Sequence, residues 1–125
     1  MNAEADLHSR FRASVRARDA ATALAHARAA ERLALEDAVA LTLLVRDLEP
    51  ARYARMSARL HGRAVDEVGA ELDGAGLLAA ALAALRDDSS LPAGVVALRG
   101  WLETYELWPA VAELEAWQQA RRAVA

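Results

Sequence analysis

The residues best suited to bind a charged partner are four arginines in one short segment, RYARMSARLHGR at positions 52–63. The segment contains no acid, and at helical spacing Arg52, Arg55, Arg59 and Arg63 follow one line of a helix. This line runs beside the predicted apolar face of the helix, which is formed by Tyr53, Met56, Leu60 and Ala64. We call the four arginines the arginine stripe. Arginine is permanently charged, and its planar fork of donors suits carboxylates and phosphates. The arginine stripe therefore indicates contact with a negatively charged surface.

Acids near the arginine stripe account for only half of it. Glu49 can reach Arg52, and Asp66 or Glu67 can reach Arg63, at the spacing of neighbouring helical turns. Arg55 and Arg59 have no acid three or four residues away. These two arginines must be solvated or paired with a group that is distant in sequence.

Three interpretations of the arginine stripe stay open. The arginines could pair with the acidic C-terminal half of the chain, or meet an acidic surface on another protein or a second copy, or contact a nucleic-acid backbone. The charge distribution permits the first, since residues 1–63 carry +3 and residues 64–125 carry −6, within a net charge of −3. The acids considered for this pairing are Glu103, Glu106, Glu113 and Glu115.

A second basic cluster, RFRASVRAR at positions 10–18, contains Arg10, Arg12, Arg16 and Arg18. It is typical of a solvated helical arm, and we favour that interpretation over a nucleic-acid-binding arm. If it faced the same way as the arginine stripe, nucleic-acid binding would gain support.

The chain offers no residues for catalysis, for a metal or for a cofactor. It has no cysteine, no glycine-rich phosphate loop and no nucleophile motif. His8 and His26 are eighteen residues apart, which on one continuous helix is five turns and too far to share a metal. We expect His61, at the edge of a core face, to bond a carbonyl oxygen. The sequence therefore predicts a protein that is not an enzyme.

Aromatic residues concentrate near the C-terminus, where all three tryptophans fall within seventeen residues. The favoured interpretation is a core that joins the last two helices, formed by Trp101, Tyr105, Trp108, Leu114 and Trp117. The other interpretation is an exposed aromatic patch that anchors a partner. Trp108 is the candidate for this role, because it lies at a helix junction.

The elements that position these residues are predicted to be helical throughout, since Ala, Leu, Glu and Arg dominate and all favour helix interiors. We predict an all-α fold, an irregular bundle of five to six antiparallel helices with short loops. Residues 1–32 are predicted to form a basic helical arm, and residues 33–125 a compact bundle. The segment 35–48 is apolar on all sides and should lie at the centre. Gly62, in mid-helix, predicts the close approach of another helix.

Location is predicted from two segments. The longest uncharged run, residues 74–85, is far shorter than the roughly 20 residues of a membrane span. The N-terminus bears acids and no apolar core, unlike a signal peptide. We expect a soluble, cytoplasmic protein.

The segment LEDAVALTLLVRDLEPARYARMSARLHGR, residues 35–63, resembles small helical proteins of high-GC actinomycete bacteria that carry no assigned function. The shared pattern is an apolar helix, an acid-proline turn, an Arg-Tyr-x-Arg start and a closing His-Gly-Arg. This resemblance implies a compact helical domain, and it supplies no substrate or cofactor.

Together these features predict a small, non-catalytic interaction or regulatory protein that binds a partner protein, or itself, through helical surfaces. The tentative contact residues are the arginine stripe and Trp108. The alternative is a nucleic-acid-associated protein that uses the arginine-rich helix and the basic arm.

Overall fold

The computed structural model describes residues 3–124, and these residues fold into seven α-helices without a β-strand. The helices are α1 (Ala3–Arg16), α2 (Ala20–Ala29), α3 (Leu35–Leu48), α4 (Tyr53–Val68), α5 (Leu72–Ala84), α6 (Leu91–Thr104) and α7 (Trp108–Val124). Short 3-10 turns at Pro50–Arg52 and Asp88–Ser90 precede α4 and α6. The all-α prediction is confirmed. The antiparallel arrangement stays a prediction.

The count of five to six helices is wrong, because the N-terminal segment forms two helices that pack against each other. The break falls at Arg18, which adopts a left-handed φ of 56°, an unusual value for a residue with a side chain. Asp19 follows as the N-cap of α2, where its carboxylate accepts the backbone N–H of Thr22 at 3.1 Å. The cap fixes the start of the second helix and the change of direction.

Helix α3 is buried on all sides, as its composition predicts, and it packs against α1, α2, α4 and α7. Its residues divide between two apolar clusters. Leu35, Val39 and Leu43 join the main core formed with α4 to α7. Leu41, Leu44 and Val45 join a smaller cluster with α1 and α2.

The smaller cluster attaches the N-terminal helices to the rest of the described chain. Phe11 of α1 is buried there, together with Ala20, Ala23 and Leu24 near or within α2. The predicted boundary between residues 1–32 and 33–125 falls in the linker between α2 and α3. The independence of the two parts stays a prediction.

Helix α4 buries the predicted face through Tyr53, Leu60 and Ala64. The Tyr53 hydroxyl donates to the carbonyl oxygen of Leu82 at 2.6 Å, and burial raises the pKa of this phenol to about 12. The helix ends at Gly69, whose φ of 64° is the left-handed conformation common after a helix C-terminus. The core contacts leave the arginine stripe along the flank of the buried face, with Arg52, Arg55 and Arg59 exposed.

The prediction for Gly62 is wrong within the described chain. A Cβ atom placed on this glycine would have no neighbour within 4 Å. The close approach lies instead at Gly94, where a Cβ atom would be 2.8 Å from the backbone nitrogen of Leu85. Tight packing therefore joins α6 to the end of α5 and leaves the middle of α4 open.

These two glycines give opposite predictions for alanine. Gly62→Ala should raise the free energy of unfolding by about 1 kcal/mol, because alanine has the higher helix propensity and meets no atom. Gly94→Ala should lower it, because the new methyl group collides with backbone. Urea denaturation of both variants at low protein concentration measures the difference, and a destabilised Gly62→Ala would contradict the open space at Gly62.

Candidate functional site

The arginine stripe divides into paired and unpaired members. Arg52 donates to Glu49 at 2.9 Å, and Arg63 lies 3.5 Å from Glu67, as the sequence spacing predicts. Arg55 and Arg59 are exposed, and neither forms an ion pair with any residue of the described range 3–124. Two permanent charges therefore stand one helical turn apart without a counter-charge, which is unfavourable in itself.

Pairing of these two arginines with the acidic C-terminal half is a wrong interpretation for the described residues. Glu103 and Glu115 both bind Arg99. Glu113 binds Arg12 at 2.7 Å. Glu106, in the turn before α7, has no ion pair with the residues that the structure describes.

Arg28, Arg55 and Arg59, which are unpaired within the described chain, line a groove between α2 and α4. Its volume is about 510 Å³, and Arg28 of α2 joins three members of the arginine stripe in lining it. Its basic residues are Arg28, Arg52, Arg55 and Arg59, and its larger apolar residues are Leu24, Leu41 and Met56, with Ala27 beside them. No carboxylate is among the described residues that line it. We call this feature the arginine groove.

Arg28 is a candidate site residue that the sequence did not indicate. It lies in the last turn of α2 and, like Arg55 and Arg59, has no ion pair within the described part of the chain. Its position beside α4 depends on how α2 packs on α3, and this packing is not readable from local sequence.

The basic arm does not present a free cluster of charge. Arg10 binds Asp6 at 2.9 Å, and Arg12 binds both Asp37 at 3.1 Å and Glu113 at 2.7 Å. Arg18 lies 3.4 Å from Asp47. Arg16 is the one arginine of this cluster without an ion pair to a described residue. None of the four lines the arginine groove.

Asp47 is the acceptor at the centre of a second network that the sequence did not reveal. Its carboxylate is 6% exposed and accepts Trp117 Nε1 at 2.8 Å, Arg46 at 2.9 Å, Arg18 at 3.4 Å, and Arg121. Arg121 also stacks over the Trp117 ring, with its guanidinium carbon 4.9 Å from the ring centroid. Because three of its four partners come from two distant segments, no sequence pattern points to it.

Arg46 extends this network to the loop between α5 and α6. Its Nε donates to the carbonyl oxygen of Leu85 at 2.8 Å, and its Nη2 donates to Asp88 at 2.6 Å. Burial alone would lower the pKa of Arg46, but the hydrogen bonds to Asp88 and Asp47 outweigh it and raise that pKa. The guanidinium is therefore a fixed structural charge.

A cavity of about 370 Å³ between α1, α2 and the following linker is lined by both His8 and His26. On one continuous helix these two histidines would be about five turns apart. The break at Arg18 rules out such a continuous helix. Within the described residues, however, no group of three metal-ligating side chains could hold a metal ion.

Asp37 lines the same cavity with a side chain that is only 3% exposed. Its Oδ1 accepts Arg12 at 3.1 Å, while Oδ2 lies 3.5 Å from His8 Nδ1 and has no hydrogen bond. Burial raises the pKa of Asp37, and the nearby Arg12 and His8 only partly offset this effect.

The aromatic residues divide into a buried group and one exposed tryptophan. Trp101 is buried, its ring centroid lies 4.5 Å from that of Tyr105, and its Nε1 donates to Gly74 O at 2.8 Å. Trp117 is buried against Asp47. Trp108 is 55% exposed and points outward, as its position at a helix junction predicts. It lies outside the arginine groove.

His61 fulfils its predicted structural role, since its Nε2 lies 2.8 Å from the carbonyl oxygen of Ala75. This contact joins α4 to α5 and gives the ring a partner within the fold.

Comparison with protein-family models, with curated proteins and with solved structures finds no significant match. The resemblance of residues 35–63 to helical proteins of high-GC bacteria therefore stays a prediction, and the functional argument depends on the geometry. In residues 3–124 no helix combines the length and the apolar composition that crossing a bilayer requires.

The raised pKa of Asp37 predicts a pH dependence of stability. The folded protein holds a proton on this carboxyl at higher pH than the unfolded chain does, whose reference value is 3.8. Proton binding to Asp37 therefore favours folding at low pH, and this contribution is lost as the pH rises through the folded pKa.

The difference in unfolding free energy, wild type minus Asp37→Asn, should therefore fall as the pH rises above about 4. Subtraction of the variant removes the contributions of the other carboxylates. Urea denaturation at a series of pH values measures this difference. A difference that rises over the same range would mean that Asp37 is stabilised as a carboxylate.

Proposed function

We propose that the protein is a small, non-catalytic interaction protein that binds an acidic segment of a partner protein in the arginine groove. The observation that carries the proposal is the presence of three exposed arginines, Arg28, Arg55 and Arg59, without a counter-charge among the described residues. Most of the other arginines of the described chain have acidic partners inside the fold.

The electrostatic argument is that binding removes a repulsion. Arg55 and Arg59 stand at i, i+4, and like charges at this spacing destabilise a helix by a few tenths of a kcal/mol. Carboxylates placed between them and Arg28 would replace repulsion with charge-assisted hydrogen bonds. A partner of this kind would also associate faster at low salt, since complementary charges steer the encounter.

The apolar lining argues for a protein segment with two faces. Leu24, Leu41 and Met56 line the groove beneath the guanidinium groups, so an occupant needs apolar side chains as well as carboxylates. Methionine adapts its shape to different occupants. An amphipathic helix with acids along the edges of its apolar face supplies both properties.

Nucleic acid is the second candidate, because four guanidinium groups around one groove also suit phosphates. Two observations favour the protein partner. Among the described residues that line the groove there is no aromatic side chain for base stacking, and Arg12 and Arg18 of the basic arm are paired with buried carboxylates. Trp108 would then be a separate anchor on α7, available to the same partner or to another.

The test uses a fluorescent amphipathic peptide with leucines on one face and glutamates beside them, together with a scrambled peptide of identical composition. Fluorescence anisotropy should show salt-sensitive binding of the first peptide and at least about ten-fold weaker binding of the second. Arg28→Ala should weaken binding about ten-fold, which corresponds to the loss of one charge-assisted contact.

Arg122→Ala is the matched control, because Arg122 is exposed on α7 and has no ion pair with a described residue. This variant should leave peptide binding unchanged. If Arg28→Ala and Arg122→Ala weakened peptide binding equally, the effect would be one of net charge. This result would contradict binding in the arginine groove. Tighter binding of a DNA duplex than of the peptide, again dependent on Arg28, would replace the protein partner by nucleic acid.

A further inference from the structure

Helix α4 has a self-complementary order of charges. Arg55 and Arg59 lie in its first half, Arg63 lies in its second half with Asp66 and Glu67, and Glu71 follows just before α5. Two such helices side by side in antiparallel orientation bring the basic half of each against the acidic half of the other. A second copy of the chain is the only partner that this pairing of charges requires.

The charges that lack partners lie on one face of α4. Arg59 and Asp66 are seven residues apart, so their directions around the helix differ by only about 20°. Both are exposed, and neither has an ion pair within residues 3–124. Their Cα atoms are separated by roughly 10 Å along the helix axis, which is two turns and beyond the usual i, i+4 pairing distance.

Gly62 lies between them on the same face and has no explanation within the chain. A glycine inside a helix is less stable than alanine, and nothing lies within 4 Å of the position of its missing Cβ atom. The close helix approach that such a glycine permits is therefore not used by any of the described helices. A helix from a second copy can use it.

We infer that α4 pairs antiparallel with α4 of a second copy, that the two helices cross at Gly62, and that Arg59 of each subunit faces Asp66 of the partner subunit. In this register residue n lies opposite residue 125 − n, so the two Gly62 positions lie next to each other at the crossing. The two Arg59 side chains are kept about 10 Å apart along the axis, which limits their repulsion. Arg55 then faces the end of the partner helix, near Glu71 of the partner subunit.

The dimer should be weak and sensitive to salt. Helix α4 has 16 residues and a length of about 24 Å, so one helix pair gives an interface at the small, transient end of the usual range. Its attraction is largely between exposed charges, which salt screens.

The inference rests on the proposed function, because Arg55 and Arg59 belong to the arginine groove, and it names a second copy as one occupant of this surface. The two can fail separately. Arg28 lies on α2, away from the α4 crossing, and Asp66 lies outside the groove lining. Asp66→Arg should therefore remove the dimer and keep peptide binding, while Arg28→Ala should weaken peptide binding and keep the dimer.

The experiment is sedimentation equilibrium of the full chain over a concentration series at low and high salt, with a double charge reversal. We expect a reversible dimer of the 13.4 kDa chain at low salt. Arg59→Glu and Asp66→Arg should each weaken it about ten-fold or more, because both copies lose an attraction and gain a repulsion. The double variant should restore the dimer, since the two charges exchange places across the interface.

Two further variants separate charge from shape. Arg122→Glu changes net charge as much as Arg59→Glu and should leave the dimer intact. Gly62→Gln improves the helix but fills the crossing, so it should weaken the dimer in a chain that is at least as stable by urea denaturation. This combination excludes unfolding as the reason for dissociation.

Three results would overturn the inference. These are a wild-type monomer at every concentration in low salt, a dimer that both single reversals leave unchanged, and a double variant as monomeric as the single ones. Peptide binding that persists in any of these cases leaves the proposed function standing. Loss of both the dimer and peptide binding would contradict both the inference and the proposed function.

Discussion

The carboxylate of Asp47 connects the helix break after α1, helix α3 and helix α7 through hydrogen bonds. It accepts hydrogen bonds from Arg18 after α1, from Arg46 on α3, and from Trp117 and Arg121 on α7. Through Arg46 the same network reaches the loop between α5 and α6. A buried carboxylate without such donors would cost several kcal/mol, so these partners are required wherever the carboxylate is charged and buried. The network thereby stabilises the helix break at Arg18, and this break places α2 beside α4.

This internal network sorts the arginines into two populations. Arg12, Arg18, Arg46 and Arg121 are committed to buried or half-buried carboxylates and hold the fold. Arg28, Arg55 and Arg59, on the outer sides of α2 and α4, are solvated and line a groove that is partly apolar. A chain of net charge −3 thus presents a local basic surface, which the mean composition conceals. Arg28, Arg55 and Arg59 carry the functional proposal because, among the arginines without an ion pair in the described chain, these three line one groove together.

The sequence predicted what depends on local pattern. Composition predicted helices, the apolar segment 35–48 predicted a central helix, and the placement of Tyr53 and Leu60 predicted the core face of α4. The spacing of acids also separated the locally paired arginines from Arg55 and Arg59. Contacts across 29 or 70 residues, such as those of Asp47, depend on packing that no local pattern records.

The same limit explains the errors at the N-terminus and at α4. His8 and His26 meet in one cavity because Arg18 adopts a left-handed conformation, which its residue type does not favour. The helix expected near Gly62 is missing from the described chain because α5 packs on another side of α4, where it meets His61. In each case the error concerns the surroundings of a residue, which depend on the packing of helices that are distant in sequence.

The central claim is that Arg28, Arg55 and Arg59 of the groove have no ion-pair partner within the described chain of the isolated monomer, while the arginines of the Asp47 network are held. NMR measurement of side-chain Nε–H exchange with water tests it directly, on a dilute sample at high salt where no second copy is bound. The account predicts slow exchange for Arg46, which donates from Nε to a buried carbonyl, and exchange at the rate of a free side chain for Arg28, Arg55 and Arg59. Protection of Arg55 and Arg59 comparable to that of Arg46 under these conditions would contradict it, since both charges would then be satisfied within the chain.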